Sequence, residues 1–347
     1  LYPKNPPNVP EELTMPSSQF KTQTFLVLFA LGIFFLLYFG LIAGCVLYSL
    51  WAIWFAAFSN VAADLFILRI FAVLLVFPCF VLFVYLVKNL LKFERAQKEF
   101  LIEIFEDEHP KLFDFIHKVC DDVGADTPKH VYVDYSVNAA AILDTTSFFH
   151  LFIPTRRSLL IGLGLVNSIN LTEFKAMLAH EFGHFSQKTM KIGSYVYTVR
   201  RIVYHVIHGE DLFDRFIIAW SQLDNVLALP AYIIRGVLWV LRKILFLIWY
   251  VVCFFDLALS RQMEFNADLI AVSVTGSDAP VHLLYRCYFA DLCFNQAVDD
   301  LRVAMDHHLY TCDLFYHQSA AGRYLRAKKK EPRMGEPPEL PPDAKKI

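Results

Sequence analysis

The sequence predicts a mainly helical α+β protein with an N-terminal transmembrane hairpin, a small antiparallel or mixed sheet, and a further membrane-associated helical insertion. Three observations predict it. No residue from Phe25 to Phe58 is charged. Short strand-like segments, such as Lys129 to Asp134 with Val131 and Val133 alternating, precede longer helical ones. A strongly apolar run from Val237 to Leu259 then separates two amphipathic stretches. The composition agrees: 56% of the 347 residues are hydrophobic, 19% are charged, and 33 are Phe. Ordinary soluble domains are about one quarter charged.

Taken in order, residues 1–20 hold five prolines among polar residues and read as a flexible lead-in without the layout of a signal peptide. Residues 21–95 read as the hairpin. About 20 apolar residues span a bilayer as a helix, so the run to Phe58 is one long, tilted helix. A second span runs from Phe66 to Leu91, with Arg69 and Lys88 near its ends and Pro78 as a possible kink. Ser59, Asn60 and Asp64 form the link. Lys88, Lys92, Arg95 and Lys98 follow the second span, which puts both ends of the hairpin in the cytoplasm. Residues 96–326 read as one folded domain. Within it, 96–125 look helical, with Gly124 as the cap. Asn138 to Leu143 and Leu151 to Ile153 are further strand candidates, and Leu159 to Val166 turns from strand to helix. Asn170-Leu171-Thr172-Glu173 supplies N-cap chemistry for a helix through Lys188. Residues 190–260 form the membrane-associated insertion. Residues 327–347, rich in Lys, Glu and Pro, read as a disordered tail.

The net charge is −2 with no strongly basic stretch, which argues against nucleic acid as a partner. The seven cysteines are scattered and no CxxC pair exists. A disulfide framework and a cysteine-rich metal site are therefore disfavoured, and a reducing compartment fits.

The chemistry lies in His180-Glu181-Phe182-Gly183-His184. Histidines at i and i+4 of a helix point the same way, one turn apart. Both can reach one Zn²⁺ at about 2.0–2.1 Å. Glu181 lies beside the first histidine, off the metal, where it can take the proton of a zinc-activated water. Two ordinary histidines on a helix face satisfy the same letters. The apolar spacing of Phe174, Met177, Leu178, Phe182 and Phe185 around them adds weight to the zinc reading. Gly183 lacks a Cβ and admits a second backbone or a substrate.

A catalytic zinc needs a third protein ligand and an open position for water. Position 190, six residues past His184, is Met. Glu264 and Asp268 share a helix face at i and i+4. Glu264 can bind zinc while Asp268 takes the ring N–H of a histidine ligand and fixes its tautomer. Two acids on a solvated helix face fit the spacing equally well.

Glu264-Phe265-Asn266-Ala267-Asp268 following His-Glu-Phe-Gly-His across an apolar insertion resembles the M48 family of metallopeptidases, which includes HtpX-type heat-shock proteases and CAAX prenyl endopeptidases. The likeness covers about residues 105–285. It takes in His109-Pro110-Lys111-Leu112, Val131-Tyr132-Val133, Asn138-Ala139 and Ala271-Val272 to Thr275-Gly276. The resemblance implies a zincin-like domain with one Zn²⁺ per chain, held by His180, His184 and Glu264. It implies Glu181 as general base and Asp268 as support to a ligand. Asn138 and Ala139 would lie beside the substrate backbone; Ala140 stands where an aromatic is common, so the adjoining subsite differs. The hairpin is closer to the HtpX type, which implies a bacterial inner (cytoplasmic) membrane protein with its zinc site facing the cytoplasm.

Topology adds an independent constraint. Residues that meet at one metal lie on one side of the bilayer, so an even number of crossings separates His180 from Glu264. Arg242 and Lys243 are expensive against lipid. A hairpin of amphipathic helices partly sunk in the membrane, with the zinc site close to the bilayer surface, is the expected solution. His205, His208, His282, Tyr285 and Arg286 are candidates for stabilising the tetrahedral oxyanion; His307-His308 reads as a surface pair. The leading function is a zinc endopeptidase acting on membrane or misfolded polypeptides. A prenyl-protein processing enzyme, a non-catalytic zinc scaffold and a transporter are the alternatives. The sequence leaves the oligomeric state open.

Overall fold

The computed structural model describes residues 2–7, 9–15, 17–58, 69–70, 72–73, 75–91, 101–143, 157–186, 195–196, 199–200, 202–205, 212–222 and 228–339. Helix α1 is Ser18–Phe58. Ser17 Oγ caps it by accepting from the Phe20 N–H at 3.1 Å. Gly40 and Gly44 continue it, as its uncharged run demands. At about 1.5 Å per residue it is roughly 60 Å long, twice the hydrocarbon thickness of a bilayer. Helix α2, Val76–Leu91, runs antiparallel to it. The Tyr38 hydroxyl donates to the Leu86 carbonyl at 2.8 Å, and that of Tyr48 to Ala72 at 3.3 Å. Pro78 stands in the first turn of α2, where its missing N–H breaks no helical bond. The link at Ser59, Asn60 and Asp64 lies outside the described residues.

The sheet is small and mixed. Its strands are β1 (Ile102–Ile104), β2 (His130–Asp134), β3 (Ala139–Leu143) and β4 (Arg157–Gly162), in the order β1-β2-β4-β3. β2 and β4 are parallel; the other pairs are antiparallel. β1 corrects the reading of 96–125 as helical. Ile102 and Ile104 alternate about Glu103 and pair with Val133 and Val131. Helix α3 starts only at Pro110 and ends at Val123, since Pro suits a first helical turn. Gly124 closes it at φ 67°. The strand candidate at Leu151 to Ile153 falls outside the described residues.

Gly162 fastens β3 to β4. Its N–H donates to Asn138 O at 2.8 Å, and a Cβ there would lie 2.3 Å from Ser136 O. The chain turns through the short α4 (Leu163–Val166) into α5 (Leu171–Ser186). Asn170 Oδ1 accepts from the N–H groups of Thr172 and Glu173, and Glu173 Oε2 accepts from the Asn170 N–H at 2.9 Å. That is the reciprocal cap expected from the sequence. α5 then packs Phe174, Leu178 and Phe182 with Leu159 and Ile161 of the sheet and Phe115, Ile116 and Val119 of α3.

Helix α6 is Leu212–Ser221 and α7 is Leu229–Thr275. The polarity change at Ser260 marks no helix end. No Pro or Gly stands between Val237 and Thr275, and Gly276 ends α7. α7 runs antiparallel to α1. Ser17 Oγ meets Gln262 Oε1 at 3.4 Å, while Arg242 donates to the Tyr85 hydroxyl at 3.1 Å, level with Tyr38. At the far end Arg235 Nη1 donates to Ser221 Oγ at 3.0 Å and Phe77 contacts Trp220. Residues 195–205, where described, are helical and bury Val196, Val199, Ile202 and Val203 against the α1–α7 bundle. Arg200 lies within electrostatic reach of Asp256. The described residues of 195–221 thus pack along the same bundle as α7.

Helices α8 (Asp278–Asp306) and α9 (Leu314–Lys329) complete the fold. The described residues near both ends of the chain differ from the loose segments expected. α9 extends past 327, and Arg326 Nε and Nη2 then donate to the Met334 carbonyl. In the lead-in, Pro3 O and the Asn5 side chain accept from Lys175 Nζ, which also pairs with Asp122 at 2.9 Å. Lys175 is fully buried, so burial is repaid only because these partners satisfy it.

Candidate metal centre

Two helices build the site, and a glycine sets their separation. On α5, Gly183 faces α7. A Cβ at Gly183 would lie 3.1 Å from Ala267 Cα and 3.4 Å from Ala267 Cβ. Both residues are small, so the two backbones approach closely. The residues flanking this contact meet as a result: His180 and His184 from α5, and Glu264 and Asp268 from α7. The histidine ring centroids are 4.9 Å apart, one helical turn. His180 Nε2 lies 3.3 Å from Glu264 Oε2, and His184 Nε2 lies 3.7 Å from Glu264 Oε1. One donor atom from each of the three falls within 4.8 Å of the others.

These separations fit a tetrahedral metal. Bonds of about 2.0–2.2 Å at tetrahedral angles put neighbouring donors roughly 3.3–3.6 Å apart. Nitrogen, nitrogen and carboxylate oxygen are also a donor set that zinc takes. Asp268 Oδ1 lies 3.0 Å from His180 Nδ1. A carboxylate there holds the proton on Nδ1, which would leave Nε2 as the nitrogen for a metal.

The electrostatics favour a cation. Burial pulls the His180 imidazolium down, but the bonds to Asp268 and Glu264, with the charge of Glu181, outweigh it and raise the group to about 10. Burial and the neighbouring His180 hold His184 below the ordinary imidazole value, so its ring nitrogen is available as a ligand. The histidines are mostly buried, whereas the Glu264 and Asp268 side chains are more than half exposed. The cluster thus opens on one side.

Glu181 faces the sheet. Its Oε2 accepts the Ala141 N–H at 2.9 Å. Burial pushes its carboxyl above the ordinary value, opposed by His180 and this N–H. β3 is an edge strand, so alternate backbone groups point away from β4. The bond from Gly162 to Asn138 O fixes the phase. Asn138 and Ala140 turn their backbone groups to β4, while Ala139 and Ala141 present theirs at the free edge. The sequence reading had missed Ala141, a backbone donor that no residue type announces. Arg286 is engaged elsewhere, its Nε donating to Glu173 at 2.8 Å. His208 lies outside the described residues.

The sequence model of peptidase family M48 matches residues 109–286, just over half of the chain. That span contains α3, the remainder of the sheet, α5, α7 and the start of α8. Neither the curated proteins nor the solved structures give a match.

Proposed function

We propose that this chain, a member of peptidase family M48, is a membrane-bound zinc endopeptidase that cleaves membrane or misfolded polypeptides. The observation that carries the reading is the convergence of His180, His184 and Glu264 beside Glu181 on an open cleft. His180, His184 and Glu264 are the ligands of one Zn²⁺. Asp268 orients His180. Zinc, when bound, supplies an acidified water and a Lewis acid for the scissile carbonyl.

The chain's own groups do the rest. Glu181 is the general base; its raised carboxyl is suited to hold a proton and pass it to the leaving amine. An extended substrate adds to the free edge of β3, where Ala139 offers N–H and C=O and Ala141 offers C=O. Glu181 reaches that edge at the Ala141 N–H, so a substrate bound along the edge lies beside the base. Asn138 supports this edge through its bond to Gly162, with its backbone directed away from the substrate.

The two long apolar helices, Ser18–Phe58 and the apolar part of α7, support a membrane location. The cations Lys88, Lys92, Arg95 and Lys98 support a cytoplasmic cleft, as on a bacterial inner membrane. A shared metal requires an even number of crossings between His180 and Glu264, and the packing of the described residues of 195–221 along α7 supports such a return.

The test is casein cleavage by the detergent-purified chain beside Glu181→Gln. The variant is expected to keep its zinc and lose activity by about 10²–10⁴-fold, the range for a general base. Zinc without Glu181-dependent cleavage would leave the scaffold reading standing.

A further inference from the structure

Away from the cleft, a cavity of about 280 Å³ opens between α8, α9 and the turn that leads into α5. Arg286, Arg323 and Arg326 line it, and none of its described lining residues is acidic. Two of the guanidiniums are held in place. Arg286 donates through Nε to Glu173 at 2.8 Å. Arg326 donates through Nε and Nη2 to the Met334 carbonyl at 3.1 and 3.0 Å, and lies 4.6 Å from the Phe289 ring centroid. Arg323 has no hydrogen-bond or ion-pair partner among the described residues.

The walls are fixed as well. Gln318 is buried and donates to the carbonyls of Gly164 and Ala290 at 2.9 and 3.2 Å. Gly335 closes one side at φ +92°, and a Cβ there would meet Phe289 at 2.8 Å. The return of the chain at 331–336 therefore has a specific seat. Glu173 is the one carboxylate among the described residues that pairs with any of the three arginines, through Arg286, and it also caps α5. Like charges gathered in a confined space repel one another. An anion removes that cost, and guanidinium forks match phosphate and carboxylate oxygens two at a time.

We propose that this cavity is a binding site for a small anion bearing phosphate or carboxylate groups. Its volume lies just below the range of ordinary ligand sites, about 300–1,000 Å³, which selects a compact occupant. Phe289 supplies an apolar wall beside the charged one. Arg286 connects the occupant to the cap of α5 through Glu173.

Isothermal titration of the detergent-solubilised full chain tests this, with inorganic phosphate and citrate as separate probes at about 0.15 M salt, where long-range attraction is screened. At least one probe is expected to bind saturably with one site per chain. Arg323→Ala, at an exposed position, is expected to weaken that binding tenfold or more, and Arg323→Lys to recover part of it. His184→Ala is expected to leave it unchanged, which separates the cavity from the metal donors. Two probes without saturable heat, binding indifferent to Arg323→Ala, or binding lost with His184→Ala would overturn the proposal.

Discussion

At the scale of single residues, the site depends on an atom that is missing. Gly183 has no Cβ, so α5 and α7 approach until Ala267 Cα is 3.1 Å from where one would be. Gly183→Val forces the helices apart without touching any donor. Zinc content and thermal stability are expected to fall together in that variant, as measured by metal analysis and a melting curve. Zinc at the wild-type level would show that the close approach does not set the site. Asp268 acts one step further out, 3.0 Å from His180 Nδ1. Asp268→Ala is expected to weaken zinc binding about 10–100-fold, the usual cost of losing such a partner. A chelator competition titration measures it. The pairing of His180 with His184 was legible in the sequence because i and i+4 spacing alone puts two side chains on one helix face. The contacts of Ala267 and of the Ala141 N–H depend on which backbone lies opposite, and that is a tertiary fact.

At the scale of elements, Lys175 is the most exacting contact. It is fully buried on α5 and held by Asp122 of α3 and by residues 3 and 5 of the lead-in. Lys175→Met is expected to destabilise the domain by about 3–5 kcal/mol, since it strands a half-buried carboxylate; denaturant unfolding checks this. The pair also predicts a pH dependence. Burial pushes the Asp122 carboxyl up, but Tyr2, Lys175 and Asn5 outweigh it and hold it below the ordinary value. A depressed carboxyl stabilises the fold fully above its unfolded value, near 3.8, and the contribution is lost as pH falls through its folded value. Asp122→Asn is expected to flatten that part of the acid limb; an unchanged limb would remove Asp122 from the account. The sequence reading was sound for α1, β2, β3 and the cap of α5, where local pattern and tertiary role agree. It divided α7 at Ser260 because polarity changes there, although polarity records what surrounds a helix and not where it ends. It merged β1 into a helix because three alternating residues are a weak signal beside a longer apolar spacing. It read both chain ends as loose because their anchors, Lys175 for residues 3 and 5 and Arg326 for Met334, are side chains whose contacts no local pattern announces.

At the scale of the whole molecule, α7 joins the site to the long apolar helices. α1 and α7 run antiparallel from the Ser17–Gln262 contact to the far end near Arg235 and Ser221. The His180–Glu264 contact holds α5 beside the Ser17–Gln262 end of this pair. Cys312 is exposed beyond α8, whereas Cys45, Cys79 and Cys253 lie within apolar helices. A membrane-impermeant maleimide is therefore expected to label Cys312 in sealed vesicles whose cytoplasmic face is outward, and to spare it in the opposite orientation. Labelling in the opposite orientation alone would invert the assignment of sides. The central claim is that His180, His184 and Glu264 hold one zinc between the two helices. Metal analysis of the purified chain beside Glu264→Ala tests it most directly. The account predicts close to one zinc per wild-type chain and a marked loss in the variant; a wild-type chain without zinc, or a variant that retains it in full, would contradict it.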